Sequence, residues 1–240
     1  MTTSPAPIPH RHVQHRLILV SLCVVVVAAV AVGIVLAVRG TGTTSSTGVQ
    51  GSGVPAAQTR TLPAFTAVDL AGANNVIVHV GGTQAVTVHG DDNLIPYVTT
   101  TVQNGALAIK QSRSFSTTSP MRVDVTVPAL DAVTLSGAGV LTVDGVEADH
   151  FTVRMPGSGV LTVTGTTTTL DATLSGTGDV RLDGLPAHDA TATVSGSGRL
   201  QVDASHSLDA TVSGTGTIVY TGSPTELTKN VTGTGAITEG

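Results

Sequence analysis

The sequence predicts an all-β protein, a right-handed parallel β-helix (solenoid) with coils of about 20 residues, preceded by one transmembrane α-helix. Three observations lead to this fold class: a glycine-centred repeat in the second half of the chain, apolar alternation on both sides of each glycine motif, and a long uncharged segment near the N-terminus. The composition agrees, because 28 of the 240 residues are Gly and only 11% are charged. A chain rich in Gly, Thr, Val and Ala favours strands and turns over helices.

The repeat is a four-residue motif in which Ser, Pro or Thr precedes Gly-x-Gly. Its first glycines are spaced by 20, 19, 20, 18 and 19 residues, and a degenerate copy occupies Ala71–Asn74. A fixed period of this size is typical of solenoids, in which each repeat forms one coil. The six regular copies begin at Ser136, Pro156, Ser175, Ser195, Ser213 and Thr232.

Apolar residues occupy the positions two before and four after the first glycine in all six repeats, and the position six after it in the first five. In one repeat these residues are Val194, Leu200 and Val202. Such period-two alternation predicts two short strands that meet at a glycine corner, with the apolar positions directed inward. No repeat could bury its apolar face alone, so the coils are expected to stack with parallel strands about 4.8 Å apart and right-handed crossovers.

Details of the stack follow from the same alignment. The corner glycines are expected to allow positive φ and a close approach of neighbouring coils. Leu182 is expected in the core, Arg181 outside it, and Asp179 and Arg199 as an outward pair on adjacent coils. A β-sandwich of hairpins is the alternative, but it gives no reason for a fixed step of about twenty residues. The less regular stretch 61–128 is expected to form the first part of the same domain.

An uncharged apolar segment, Leu17–Val38, is 22 residues long. A helix of this length crosses a hydrocarbon core of about 30 Å, whereas the apolar core of a cleaved signal peptide, the alternative, usually has about 7–15 residues. Cys23 lies inside the segment and is interpreted as a small lipid-facing or helix-packing residue. The predicted organisation is a cytoplasmic tail (1–16), a transmembrane helix (17–38), a flexible Gly/Ser/Thr linker (39–60) and a β-helical head (61–240).

Positive charges before the segment set the expected orientation. Arg11 and Arg16 precede it and Arg39 follows it, so the positive-inside rule directs the N-terminus to the cytoplasm and the head to the outside. The predicted location is therefore the cell membrane, in a single-pass protein whose head is extracellular.

The charge and composition also limit the partners. The net charge is −5 and aromatic residues are 2% of the chain, which argues against nucleic-acid binding. A single cysteine argues against a disulfide framework and a thiolate zinc site. The expected partners are the lipid bilayer, through residues 17–38, and an extracellular protein or glycan.

An ordered set of segments consists of Phe65, Gly90–Ile95, Asn104–Ile109, Val127–Leu130 and Leu135–Gly139, followed by the remaining repeats. This set resembles the head GIN domain family, described as putative auto-transporter adhesins. The resemblance covers about residues 62–240 and implies a β-helical cell-envelope domain to which the family brings no catalytic residues. The N-terminal anchor and linker stand where an autotransporter would have its barrel.

Asp144, Asp183 and Asp203 share the column seven residues after the first glycine. Stacked carboxylates on a β-helix could act as acid and base in polysaccharide hydrolysis. The alternative, which we favour, is that Asp before Gly is an ordinary turn pairing, as in Asp144-Gly145 and Asp183-Gly184.

The remaining polar motifs are interpreted as structural. Asp179 does not belong to a calcium-binding repeat, because Arg199 and Thr217 occupy its column in later coils. The serines before the glycines lack the strand–turn–helix context of a nucleophile elbow, and Asn230 fits a glycosylation sequon only by coincidence. We therefore predict no catalytic, cofactor-binding or metal-binding residues and no cofactor. The histidines judged too scattered to converge on a metal are His79, His89, His150, His188 and His206.

The predicted function is a membrane-anchored, non-enzymatic head for adhesion or cell-envelope interaction. An extracellular polysaccharide-acting enzyme that uses the stacked Asp residues is the alternative. A sensor is a third hypothesis, weakened because the predicted tail, residues 1–16, is too short for a signalling domain.

Overall fold

The structure, a computed structural model, describes residues 48–240, which are almost entirely β-strand. The predicted tail and transmembrane helix lie outside the described residues. Within 48–240 no helix is long and apolar enough to span a bilayer. One 3-10 turn, Ile95–Tyr97, is present. The strands are β1 (Val49–Gln50), β2 (Pro55–Arg60), β3 (Ala67–Ala71), β4 (Asn75–Val80), β5 (Ala85–Asp91), β6 (Val98–Gln103), β7 (Ala106–Gln111), β8 (Phe115–Ser116), β9 (Arg122–Val127), β10 (Ala132–Leu135), β11 (Val140–Met155), β12 (Val160–Leu174), β13 (Asp179–Val194), β14 (Arg199–Val212), β15 (Thr217–Gly222), β16 (Glu226–Val231) and β17 (Ala236–Glu239).

Strands β11 to β17 form a stack of parallel coils. Each of β11, β12 and β13 pairs in parallel with the next strand, and β14 pairs with both β15 and β16, the two halves of the following coil. The predicted β-solenoid with a step near twenty residues is therefore confirmed, with about five turns, and the sandwich alternative is wrong. Residues that follow one another along a single column of the stack are Val140, Val160, Asp179, Arg199, Thr217 and Ala236.

The coil of β13 has three inward-facing runs, where the sequence predicted two strands. In β13 the inward residues lie in the runs Val180–Leu182, Leu185–Ala187 and Ala190–Val194. Two consecutive outward residues, Asp183-Gly184 and then His188-Asp189, separate the runs. Strict alternation cannot place neighbours on the same side, so the chain bends at both pairs. The coil therefore has two corners in addition to the glycine corner.

Neighbouring coils come unusually close at the glycine corner. A Cβ added to Gly176 would overlap the carbonyl oxygen of Gly157, and one on Gly196 would overlap that of Gly176. The close approach predicted for these glycines is thus confirmed. The prediction of positive φ at them is wrong, since positive-φ glycines lie at the next corner instead, as at Gly145 and Gly165. Absence of a side chain, and not backbone conformation, makes glycine necessary at the motif.

The inward columns form one continuous apolar core. Leu182 is fully buried and pairs with Val202 on the next coil, whereas the side chain of Arg181 is half exposed, as predicted. Asp179 and Arg199 are direct neighbours across the coils, also as predicted. The prediction that their side chains form an ion pair is wrong, because Asp179 pairs with Arg181 instead. Asp179 Oδ2 lies 2.7 Å from Nη2 of Arg181, because residues two apart on one strand share its outer face.

The N-terminal part of the described chain extends the same stack by long-range pairing. Strand β3 pairs in parallel with β10 and with β7, and β4 pairs in parallel with β11 and with β9. The degenerate motif Ala71–Asn74 forms a true corner, since Gly139 donates its backbone N–H to the oxygen of Gly72 at 3.0 Å. The expectation that residues 61–128 form an irregular first part of the domain is confirmed.

Antiparallel strands close this end of the stack. Strand β5 pairs antiparallel with β9 and β2, and β6 pairs antiparallel with β7 through the Asn104-Gly105 turn, where both residues have positive φ. Strands β1 and β2 lie inside the predicted flexible linker, residues 39–60, so ordered pairing begins before residue 61. The physical reason is that β2 joins the edge through backbone hydrogen bonds, which require no apolar periodicity.

The opposite end is more exposed. Strand β16 is exposed along its whole length, and two of its apolar residues, Leu227 and Val231, are 41% and 44% exposed. These positions continue the inward columns of the preceding coil, because Leu227 pairs with Leu208 and Val231 with Val212. They are exposed because no described strand covers their far side.

Candidate functional site

A bulge at the third corner of the coil, the one formed by His188-Asp189, brings two histidines together. Ala187 pairs with Ala204 and Asp189 pairs with Ser207, so His188 alone faces two residues of β14. Those two residues are Ser205 and His206, and the ring of His206 stacks on that of His188 with centroids 4.5 Å apart and planes 18° from parallel. Bulges of this kind redirect side chains and are common beside functional sites.

Asp189 joins the two rings. Nδ1 of His188 donates to Oδ2 of Asp189 at 2.9 Å, and Nδ1 of His206 donates to Oδ1 at 2.8 Å. Ser207 donates its hydroxyl to Oδ1 at 2.6 Å. An ionised carboxylate can only accept hydrogen bonds, so both Nδ1 atoms carry a proton in this arrangement. We refer to His188, Asp189 and His206 as the corner cluster.

The hydrogen bonds of the corner cluster shift two pKa values. The bonds from Ser207, His206 and His188 hold the pKa of Asp189 well below its usual range, against a smaller opposing effect of desolvation. The hydrogen bond to Asp189 raises the pKa of His206, and the negative charges of Asp189 and Glu226 add to the increase. The carboxylate therefore stays ionised, and His206 keeps its proton to a higher pH than an isolated histidine.

The corner cluster is accessible to solvent. The side chains of His188, Asp189 and His206 are 56%, 39% and 47% exposed. An open depression beside the cluster contains three carboxylates, those of Asp189, Asp209 and Glu226. Glu226 reaches this face because β16 pairs with β14 and places it opposite Ser207. An incoming cation would thus meet acidic groups from three consecutive coils.

The three aspartates singled out in the sequence are held separately. Asp144 accepts a hydrogen bond from Thr164 at 3.2 Å, and Asp203 accepts one from Thr221 at 3.1 Å. In both cases the donor lies on the next coil, so these carboxylates tie successive coils together. Asp183 forms the outward pair with Gly184 at the bend of β13. The three aspartates therefore lie at the corner that follows the glycine corner, in agreement with the turn interpretation.

Sequence reasoning missed the corner cluster because the histidines were aligned on the preceding glycine. Counted forward from that glycine, His188 and His206 fall in different columns. Counted backward from the following one, both lie eight residues before it, before Gly196 and Gly214. The statement that the histidines are scattered is wrong for this pair. The other three each lie beside one aspartate, with nitrogen–oxygen distances of 3.7 Å for His79–Asp144, 3.1 Å for His89–Asp124 and 3.5 Å for His150–Asp171.

Comparison with known families identifies one matching family model. The model described as "Putative auto-transporter adhesin, head GIN domain" matches residues 64–224, which is more than half of the chain. The matched stretch includes the stacked coils from β3 to β15 and the corner cluster. No curated protein sequence matches the chain.

Several solved structures share the fold. A putative adhesin from Bacteroides fragilis is similar to 80% of this chain over 100% of its own length, with a TM-score of 0.64 and 22% identity. A putative adhesin from Parabacteroides distasonis covers 80% of this chain over 99% of its own length, with a TM-score of 0.53 and 21% identity. A putative lipid binding protein from the same species has a TM-score of 0.50 and 20% identity, with the same coverage of both chains. At these identities the similarity concerns the fold.

Proposed function

Because the chain belongs to the head GIN domain family of putative auto-transporter adhesins, we propose that residues 48–240 form a non-enzymatic binding head that is held outside the cell. The observation that carries the proposal is the family match over residues 64–224. The family description names an adhesin head, and the matched stretch covers most of the solenoid. In this proposal the coils are right-handed, as parallel crossovers almost always are.

The anchor in this proposal is a transmembrane helix at residues 17–38. Its support is the uncharged 22-residue run and the arginines on its N-terminal side, Arg11 and Arg16. The N-terminus then lies in the cytoplasm, residues 39–47 leave the membrane, and the head is extracellular in a single-pass protein of the cell membrane.

The proposed ligand is an extracellular protein or glycan that lies across several coils. The outer surface supports this kind of ligand because its polar residues form regular rows along the stack. In one row Thr173, Thr193 and Thr211 follow one another on successive coils. Such a row repeats hydroxyl groups at the strand spacing of about 4.8 Å, which suits contacts with an extended, repetitive partner.

The test is binding of the full chain, reconstituted in lipid nanodiscs, to arrays of glycans and extracellular proteins. We expect saturable binding to a restricted set of ligands that is weakened when two positions of the row are changed together, Thr193→Arg and Thr211→Arg. The matched control is Thr101→Arg, on the exposed side of β6 at the opposite end of the domain. The absence of saturable binding, or equal losses in all variants, would contradict a specific binding surface.

The enzyme alternative is tested in parallel on a polysaccharide panel. A binding head leaves the panel intact, so the concentration of reducing ends stays at the level of the blank. Release of reducing ends that is lost on replacing Asp144, Asp183 or Asp203 by Asn would overturn the non-enzymatic proposal.

A further inference from the structure

We propose that His188, Asp189 and His206 bind a divalent transition-metal cation of the Zn²⁺ class on the outer surface of the solenoid. One ligand atom from each residue already lies within 4.8 Å of the others. The site goes beyond the proposed binding function and does not depend on it.

The donor set points to the kind of cation. Two imidazole nitrogens and one carboxylate oxygen match the ligands of open zinc sites, in which a water molecule or another ligand fills the fourth position. Mg²⁺ and Ca²⁺ prefer sites made of oxygen atoms and are poorly served by two imidazoles. The exposed side of the corner cluster leaves the fourth position open, where it could accept a donor atom from a bound molecule.

The nitrogen–oxygen distances within the corner cluster are close to those of a zinc site, and rotation of the imidazole rings completes the geometry. In a tetrahedral zinc site neighbouring ligand atoms are about 3.3 Å apart, as follows from metal–ligand bonds of about 2.0–2.1 Å. Here Nδ1 of His188 and Nδ1 of His206 lie 2.9 and 2.8 Å from the two oxygens of Asp189. Each Nδ1 thus lies within a few tenths of an ångström of the spacing that a zinc site needs from the carboxylate. Because the two rings are stacked 18° from parallel, at least one ring must rotate for both Nδ1 atoms to point at one cation.

Binding displaces protons from the positions that the metal takes. A neutral imidazole that binds through Nδ1 carries its proton on Nε2, and a charged one first releases a proton to solvent. The cation thus replaces the Nδ1 hydrogens that Asp189 now accepts. Since protons compete for the same nitrogens, the metal affinity should fall as the pH is lowered.

The fold brings the ligands together before the metal arrives. His188 and Asp189 are consecutive residues at one bend of β13, and the bulge fixes His206 against them from the next coil. Ser207 holds the carboxylate through its hydroxyl, at 2.6 Å, in the manner of an outer-sphere partner of a metal ligand. Glu226, opposite Ser207, adds negative charge on the side from which the cation approaches.

The experiment is calorimetric titration of the detergent-solubilised full chain with ZnCl₂ in a non-chelating buffer. His10, His12 and His15 are first replaced by Ala, since these N-terminal histidines could bind zinc themselves. In this background we expect one Zn²⁺ per chain, and MgCl₂ in its place should give no binding. Each of His206→Ala and Asp189→Asn should weaken zinc binding at least ~10-fold, the usual effect of disturbing a metal site.

The matched control is His150→Ala. His150 is an exposed histidine that, like those of the cluster, lies beside an aspartate, here at 3.5 Å, but within residues 48–240 its ring stacks on no second histidine. It should leave the zinc affinity unchanged. Far-UV circular dichroism verifies that each variant is folded, and His206→Gln replaces His206→Ala if the latter unfolds. No zinc binding in the parent, or equal affinity in the parent, His206→Gln and Asp189→Asn, would overturn the proposal.

Discussion

Replacement of Gly176 by Ala tests the close approach of coils at the glycine corner. The added Cβ would overlap the carbonyl oxygen of Gly157 on the preceding coil, and that oxygen also accepts the N–H of Thr177 at 3.2 Å. Overpacking of this kind costs about 1–3 kcal/mol, and weakening the hydrogen bond costs about 1 kcal/mol more. The expected loss in the free energy of unfolding is therefore about 2–4 kcal/mol.

Gly184→Ala is the matched control within the same coil. The nearest atom to its added Cβ is a side-chain methyl, Cγ2 of Thr164, at 3.0 Å, and its φ is not in the left-handed region. We expect a change of less than about 1 kcal/mol in either direction. Urea unfolding of both variants, followed by far-UV circular dichroism, gives the two free energies. A loss at Gly176 no larger than that at Gly184 would refute the interpretation that the glycine column sets the distance between coils.

Three further predictions concern the core, the pH dependence and the autonomy of the head. Leu182→Ala should lower the free energy of unfolding by about 2–5 kcal/mol in the same assay, because the side chain is fully buried. Arg181→Ala should lower it by less than about 1 kcal/mol. Equal losses would show that the register is wrong. The lowered pKa of Asp189 adds stability that is present above the unfolded value of about 3.9 and is lost as the pH falls toward the native value. The raised pKa of His206 adds stability that is complete below about pH 6.5 and is lost as the pH rises through the native value. The thermal midpoint should therefore fall on both sides of a mildly acidic maximum, and Asp189→Asn should flatten this profile; an unchanged profile would contradict the two shifts. Residues 48–240 expressed alone should be soluble and β-rich by circular dichroism, and a random-coil spectrum would contradict an independent fold.

The regular coils could be predicted from the sequence because one physical constraint repeats in every coil. Leu182 and Val202 recur in the same column since each must cover the apolar face of the other. The glycine motif recurs since a side chain there would meet the backbone of the preceding coil.

The N-terminal cap could not be predicted in the same way. Strand β3 pairs with β10 across a long stretch of intervening sequence, and β2 joins an antiparallel edge through backbone hydrogen bonds. Neither contact leaves a repeated side-chain pattern. For this reason residues 55–60 read as part of a linker, although they form a strand.

The corner cluster was hidden by a local irregularity. Four residues separate Leu182 from Ala187 in β13, whereas one residue separates their partners Val202 and Ala204 in β14, and one extra residue follows before Ser207. His206 therefore lies ten residues after its preceding glycine, whereas His188 lies twelve after its own. A count from both neighbouring glycines would have placed it beside His188. The contacts of Asp189 depend on the same bulge, and a strictly alternating strand would not turn both His188 and Asp189 outward.

The claim that the head is presented outside the cell is tested most directly by labelling cysteines in intact cells that express the full chain. Cys23, the only native cysteine, is replaced by Ala, and one new cysteine is introduced either in the head, Thr191→Cys, or in the N-terminal tail, Ser4→Cys. Thr191 is exposed on the outer face of β13. With a membrane-impermeant maleimide, we predict labelling of Thr191→Cys in intact cells and of Ser4→Cys only after permeabilisation. Labelling of Thr191→Cys only after permeabilisation would contradict an extracellular head.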